Sequence, residues 1–314
     1  MLFVLFCGSE HFEAMKARLV WLVLCGIWGS TWLFIKLGLE DLPPLTFAGI
    51  RFVISCAIVF SIIRIRRMRL PRAREDWILL AVTGVLSFGF NYGLVFWGEQ
   101  YISSGLAALL QATLPAFGLV FAHFHLPGER LSGARIVGVV LGICGVAVVF
   151  SNQLAVAGNQ ALAGCVALIL SAAFAAYSNV LVKAHGKNLN PAILTAGQMF
   201  FGLLLLLAVG IPLEGNPFRF HWTPVAVIAL LYLAVVGSVI AFLLYYWLVQ
   251  HMEVTNSMLI ALVTPVVAVI LGMIVLNEEF GWRTLAGGAM IMLGIAITVL
   301  RRTRYEPVQA AAKT

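Results

Sequence analysis

Apolar runs, each closed by charge, proline, glycine or asparagine, follow one another along the whole chain. A helix needs about 20 mainly apolar residues to cross a hydrocarbon core about 30 Å thick. On that criterion the runs predict ten helices, at 19–37, 45–63, 77–96, 102–124 and 136–150, then 164–182, 192–212, 225–247, 255–276 and 285–300. The fold class expected is an all-α integral membrane protein with ten transmembrane helices.

Composition agrees with the pattern. Of 314 residues, 62% are hydrophobic and 11% charged, far from the balance of a soluble domain. The net charge of +7 carries no nucleic-acid reading, because the charges punctuate apolar runs instead of forming a basic face. Their sidedness orients the bundle. With the N-terminus inside, sixteen of the twenty Lys and Arg residues fall on inside segments, including the run Arg64, Arg66, Arg67, Arg69, Arg72 and Arg74. Only Lys36, Arg219 and Arg283 fall outside, and Arg51 lies within a helix. The positive-inside rule then places both termini in the cytoplasm of a multi-pass membrane protein, the inner membrane in a Gram-negative cell.

The halves of the chain repeat. Trp97, Gln100, Pro115, Glu129 and Gly138 match Trp247, Gln250, Pro265, Glu279 and Gly288 at a constant offset of 150, and Lys36 and Pro44 match Lys183 and Pro191 at 147. Five spans per half is an odd number, so the second half enters the membrane from the opposite side and the repeats are inverted. The expected organisation is a tail at 1–15, a first five-helix repeat at 16–150, a second at 164–302 and a cytoplasmic tail at 303–314. Residues 1–7 are apolar but too short to span, and Met15, followed by Lys16 and Arg18, reads as the more natural start. The preceding segment reads as a start-site artefact or a frayed tail.

The stretch Trp28–Lys36 (WGSTWLFIK), the PPLTFAGIRF run with Arg51, and the segments TLP at Pro115 and VTP at Pro265, followed by PGERLS and NEEFGW, resemble the EamA family of the drug/metabolite transporter superfamily. The resemblance implies an inverted-repeat bundle and a central cavity lined chiefly by helices 1, 3, 4, 6, 8 and 9. It also implies export of amino acids or related metabolites. Ala175 and Gln198 stand in the second half where the first has Trp28 and Arg51, so the substrate does not follow from the resemblance.

Catalysis has no signature here. GxSxG, HExxH and GxxxxGK motifs are absent, and the five cysteines form no CxxC pair, so no catalytic residue, metal site or cofactor is expected. The chemistry left is that of polar groups inside the spans, costly in lipid unless they face a partner or a wet cavity. Trp28, Thr31 and Trp32 share one face of helix 1; Asn91 and Tyr92 lie on helix 3; Gln111 precedes Pro115 by one turn on helix 4. Tyr177 and Ser178 on helix 6 and Tyr245 on helix 8 complete the candidate substrate contacts. Ser and Thr also join helices and aromatics also mark interfaces, so mid-span Gln111 and Asn91 carry most weight. Ser171 and Thr298 are expected to contribute less than they do. Pro115 and Pro265, present in both halves, are hinge candidates.

Arg51, about 10 Å into the membrane, must snorkel or find an acceptor, and reads as an anchor more than a substrate ligand. Lys36 is expected to snorkel, and Glu129 and Glu279 to cap or anchor helices. No acidic residue falls at the centre of a span. The expected cargo is therefore a neutral or zwitterionic metabolite, in contact with the bilayer and the small-molecule substrate but not nucleic acid, carried by a monomer or homodimer. The alternative is a proton-coupled multidrug or cation efflux carrier. A channel would need a filter or charged ring, and a membrane-embedded enzyme would need a nucleophile beside His123 or His125. The glycines of helix 5 (Gly138, Gly142) and helix 10 (Gly287, Gly288, Gly294) predict a close seam, within the monomer or between two copies.

Overall fold

The computed structural model describes residues 2–126, 133–156, 158–186, 189–251 and 260–300. Among these, the regular elements are helical: α1 (Leu2–Gly38), α2 (Pro44–Ile65), α3 (Arg74–Gly84), α4 (Asn91–Glu99), α5 (Ser104–Gln111), α6 (Leu114–His125), α7 (Gly133–Val156), α8 (Gly158–His185) and α9 (Pro191–Glu214). After a 3-10 turn come α10 (Pro224–Leu231), α11 (Ala241–His251), α12 (Ile260–Val275) and α13 (Trp282–Leu300). Seven helical spans are long and apolar enough to cross a membrane, and Ile136–Val149, Ile260–Val275 and Trp282–Ile297 form shorter apolar helices. The predicted runs at 136–150, 255–276 and 285–300 are these shorter ones. Helix α1 begins at Leu2, so the backbone of residues 2–14 is helical.

Helix starts follow local chemistry. Pro44, Pro191 and Pro224 open α2, α9 and α10, where a missing N–H costs nothing. Asn190, Thr223 and Ser103 accept a hydrogen bond from the first turn of the helix that follows each. Three interruptions were not legible from hydropathy. The runs at 77–96 and 225–247 each contain a π-helical segment, Val85–Phe90 and Tyr232–Ile240. The first lies where α9 presses against it: a Cβ on Gly202 would sit 2.3 Å from Phe88 Cβ and 2.9 Å from Gly89 N. The run at 102–124 breaks at Ala112 and Thr113. Pro115 cannot donate to Gln111, and the turn tightens as Thr113 N bonds Leu110 O at 3.1 Å and Ala116 N bonds Thr113 O at 2.9 Å. Its counterpart Pro265 stays inside the unbroken α12.

The central core joins both halves of the chain, with Phe47, Phe52, Phe96, Leu110, Leu168 and Met199 buried together. The glycine seam lies within one chain: a Cβ on Gly294 would meet Gly138 O at 2.5 Å, and one on Gly145 would meet Gly287 O at 2.6 Å. Helices α7 and α13 thus pack backbone to backbone, as small residues allow in lipid.

At one end of the bundle carboxylates tie helix starts to distant segments. Glu214 accepts from Leu45 N (2.8 Å) and Thr46 N (2.7 Å) at the start of α2. Glu278 accepts from Ser104 N (2.6 Å) and Gly105 N (3.3 Å) at the start of α5. Negative charge at a helix N-terminus meets unpaired N–H groups and the positive end of the dipole. Glu278 therefore takes the capping role expected of the neighbouring Glu279, which is exposed. Glu129 lies outside the described residues. In the loop after α1, Asp41 accepts from Thr223 Oγ1 and from His221 Nδ1, the latter at 3.0 Å. The Thr223 hydroxyl first, then His221, hold its carboxyl below the usual aspartate range.

Candidate functional site

Two polar clusters meet on α4. Asn91 and Tyr92 are consecutive, so their side chains leave the helix about 100° apart and face different neighbours. Asn91, 7% exposed, accepts from Gln111 Nε2 at 3.0 Å and donates through Nδ2 to Ser87 O at 3.0 Å. Ser171 Oγ on α8 lies 2.7 Å from Gln111 Oε1 and 2.7 Å from Leu168 O, so its one proton is shared between two acceptors. The amide of Gln111 is thereby fixed in orientation, half-buried, and its second N–H has no partner among the described residues. Ser171, set below Gln111 as a substrate contact in the sequence reading, belongs to the same hydrogen-bonded chain. Thr298 is helical, but its side chain lies outside the described set.

Tyr92 leads to the second cluster. Its ring lies 5.1 Å from the guanidinium carbon of Arg51, with Phe52 at 5.2 Å and Phe96 at 6.0 Å. Arg51 is 2% exposed and donates from Nε (3.2 Å) and Nη2 (3.1 Å) to Ser238 Oγ, in the second π-helical segment. Ser238 in turn donates to Leu233 O at 2.9 Å. The residue does not snorkel; it finds a neutral acceptor and three ring faces. Nearby, Ser30 Oγ lies 2.7 Å from Tyr232 Oη, and Phe34 stacks on the Tyr232 ring at 3.9 Å.

The remaining sequence candidates distribute unevenly. Trp28 packs against Tyr245 at 5.4 Å and Phe242 at 6.2 Å between ring centroids, joining α1 to α11. Thr31 donates to Trp28 O at 2.7 Å, and its methyl is where a Cβ on Gly237 would collide, at 2.9 Å. Trp32, half-buried, packs against the central core. Ser178 is fully buried and donates to Thr83 O at 3.0 Å, which joins α8 to α3. Tyr177 sits at the far end of the bundle against His125, with Oη 3.5 Å from Nε2. An apolar cavity of about 320 Å³ opens between α6, α7 and α13, lined by Phe117, Ile143 and Ile291, and none of the candidate residues borders it.

Three features escaped the sequence. The partner of Arg51 and the pairing of Ser30 with Tyr232 need the fold. The third is a charge cluster where the ends of α1 and α4 meet the segment after α12. Lys36, half-buried, donates through Nζ to Glu99 O and Ile102 O, each at 2.7 Å. Glu99 ends α4 yet is 0% exposed, and neither carboxyl oxygen has a hydrogen-bond partner among the described residues. The charges acting on it are those of Lys36 and Glu278. A helix end is not necessarily a surface, and counting acids by distance from a span centre misses this one. Among the described residues no group of His, Cys, Asp and Glu could hold a metal ion.

Comparison with known proteins places the chain. The profile of the EamA-like transporter family matches twice, at residues 15–151 and 162–300. The uncharacterized transporter YoaV of Bacillus subtilis is 27% identical over 281 residues, covering 89% of this chain and 95% of that protein. The uncharacterized inner membrane transporter YedA of Escherichia coli strain K12 is 30% identical over 278 residues, covering 86% and 85%. A solved crystal structure shares the fold with a TM-score of 0.64 at 20% identity, covering 93% of this chain and 99% of the other.

Proposed function

The chain belongs to the EamA-like transporter family, a multi-pass membrane transporter, and on that premise we propose a carrier of amino acids or related small metabolites. In this reading ten transmembrane helices form two inverted five-helix halves, which rock about a central site by alternating access, with both termini cytoplasmic and export the physiological direction. No enzymatic step is assigned. The observation that supports the cargo class best is the Ser171–Gln111–Asn91 chain, which orients the amide of Gln111 at the end of α5 and leaves its second N–H without a partner among the described residues. Fixed amide donors with apolar walls suit small neutral or zwitterionic ligands.

The test has two stages. Metabolites that accumulate in the medium of overexpressing cells, and fall in that of deleted cells, identify the cargo; counterflow in vesicles then separates a carrier from a pore. Gln111→Ala should weaken apparent affinity about tenfold, the worth of one to two good hydrogen bonds, with protein still in the membrane. Unchanged affinity for the identified cargo would remove Gln111 from the site. Proton-coupled efflux of cations is the second reading, and buried Glu99 favours it. Proton-driven uptake of an organic cation that neutral amino acids neither share nor inhibit would replace the first reading with the second.

Orientation is tested separately. Arg69 is exposed in the loop between α2 and α3. In a background with exposed Cys144 replaced by Ser, Arg69→Cys should react with an impermeant maleimide only after permeabilisation. Strong labelling in intact cells reverses the assignment.

A further inference from the structure

Arg51 carries a charge that the protein does not neutralise. A buried carboxyl such as Glu99 can take up a proton and become neutral, whereas a guanidinium stays protonated under any physiological condition. Among the described residues no carboxylate pairs with Arg51. Its acceptors are neutral hydroxyls: Ser238 Oγ, reached by Nε and Nη2 at 3.2 and 3.1 Å, with the Tyr92 hydroxyl also acting on the guanidinium. Ring faces of Phe52, Tyr92 and Phe96 surround the cation at 5.1–6.0 Å. Aromatic faces soften the cost of desolvation without supplying a counter-ion. Nη1 is buried and, among the described residues, no atom meets it with hydrogen-bond geometry. An unpaired charge within a membrane bundle is costly, and persists where it has a function.

A glycine keeps a side chain away from the guanidinium. Gly237 is buried in the π-helical segment, and a Cβ there would stand 2.9 Å from the Thr31 methyl and 3.7 Å from Arg51 Nη2. The segment also aims Ser238 at Nε and Nη2 of Arg51, and Nη1 is the edge of the fork that Ser238 does not reach. π-Helical insertions recur at functional sites because they re-aim side chains without ending the helix. Five N–H donors are present on a guanidinium; Ser238 takes two, and the two on Nη1 meet no acceptor with hydrogen-bond geometry among the described residues. A carboxylate accepts two parallel N–H bonds from such a fork and neutralises it, which neither an amine nor a sugar hydroxyl does.

We propose that Arg51 is the carboxylate-binding residue of the transport site, so that the cargo carries a carboxylate. This rests on the carrier reading above and narrows it: amino acids and organic acids qualify, and amines, amides and sugars do not. A purely structural anchor would tie α2 to the π-helical segment through Ser238 and show no ligand dependence.

The experiment measures thermal melting of the purified full-length protein with the twenty common L-amino acids, acetate and benzoate as probes, and with the matching carboxamides. At least one carboxylate should raise the melting temperature saturably, and its carboxamide should not. This comparison uses only the wild-type protein, so it stands even where a variant fails to fold. For the active acid, Arg51→Gln should abolish the shift, while Arg51→Lys, which keeps the charge but not the fork, should retain it with affinity weaker by about tenfold. Carboxamides that bind as well as the acids, an unchanged midpoint in Arg51→Gln, or no binding by any acid would each overturn the assignment. Counterflow of cell-extract metabolites into wild-type vesicles keeps the two readings apart. If only cargo without a carboxylate exchanges, the carrier stands and the role of Arg51 falls; if nothing exchanges, the carrier reading falls by itself.

Discussion

Gly287→Val should remove the folded protein, while Gly26→Val should leave it intact. A Cβ at Gly287 would stand 2.7 Å from Gly145 O, 2.7 Å from Val149 Cγ2 and 3.2 Å from Val149 N. Two of those atoms are backbone, so no rotamer change relieves the collision and helices α7 and α13 must part. Overpacking of this kind costs about 3 kcal/mol or more, and lipid offers no hydrophobic penalty to hold separated helices together. At Gly26 a Cβ meets nothing within 4 Å. There a side chain replaces a residue of poor helix propensity, so the change is neutral or stabilising by up to about 1 kcal/mol. Fluorescence-detected gel filtration and melting in mild detergent give the comparison. Equal behaviour of the two variants would remove the seam as a source of stability.

The same seam shows what hydropathy and spacing can carry. That Gly138, Gly142, Gly287 and Gly294 mark a close approach is legible, because small residues at helical spacing have few other uses in an apolar run. That they meet each other inside one chain is not, since spacing along a helix says nothing of what lies opposite. Arg51 divides in the same way. Its depth follows from its distance after Pro44, but Ser238 is 187 positions away, within an apolar stretch that gives no sign of a π-helical segment. The run at 102–124 was legible as one crossing, and Pro115 as the place where its ladder would fail. The difference from Pro265, which leaves α12 unbroken, depends on the surrounding helices. Gln111 and Asn91 stand out by their mid-span depth, and they are hydrogen-bonded to each other. Ser178, chosen on similar grounds, is committed to Thr83 O. Residue type and depth nominate such groups equally; only the partner separates an occupied donor from a free one.

Lys36→Met should destabilise the protein by about 3 kcal/mol, and Glu99→Gln in the same chain should recover much of that loss. Removing Lys36 strands two main-chain carbonyls, those of Glu99 and Ile102, each now 2.7 Å from the ammonium. It also leaves the fully buried Glu99 carboxyl without the cation that acts on it, beside the like charge of Glu278. Breaking one side of a buried charge pair costs about 3–5 kcal/mol, because the charge left behind is uncompensated; the distance from ammonium to carboxyl, with no direct bond between them, puts this case at the lower end. Glutamine keeps the volume of Glu99 and brings no charge, so in the Lys36→Met background it replaces the uncompensated charge with a neutral amide, which costs less to bury. The double-mutant cycle should therefore show a favourable coupling of about 2 kcal/mol, well above the scatter expected of independent sites. Melting of the four proteins in detergent measures it. Strict additivity would mean that Glu99 is held neutral whether or not Lys36 is present, and that the ammonium serves the two carbonyls alone.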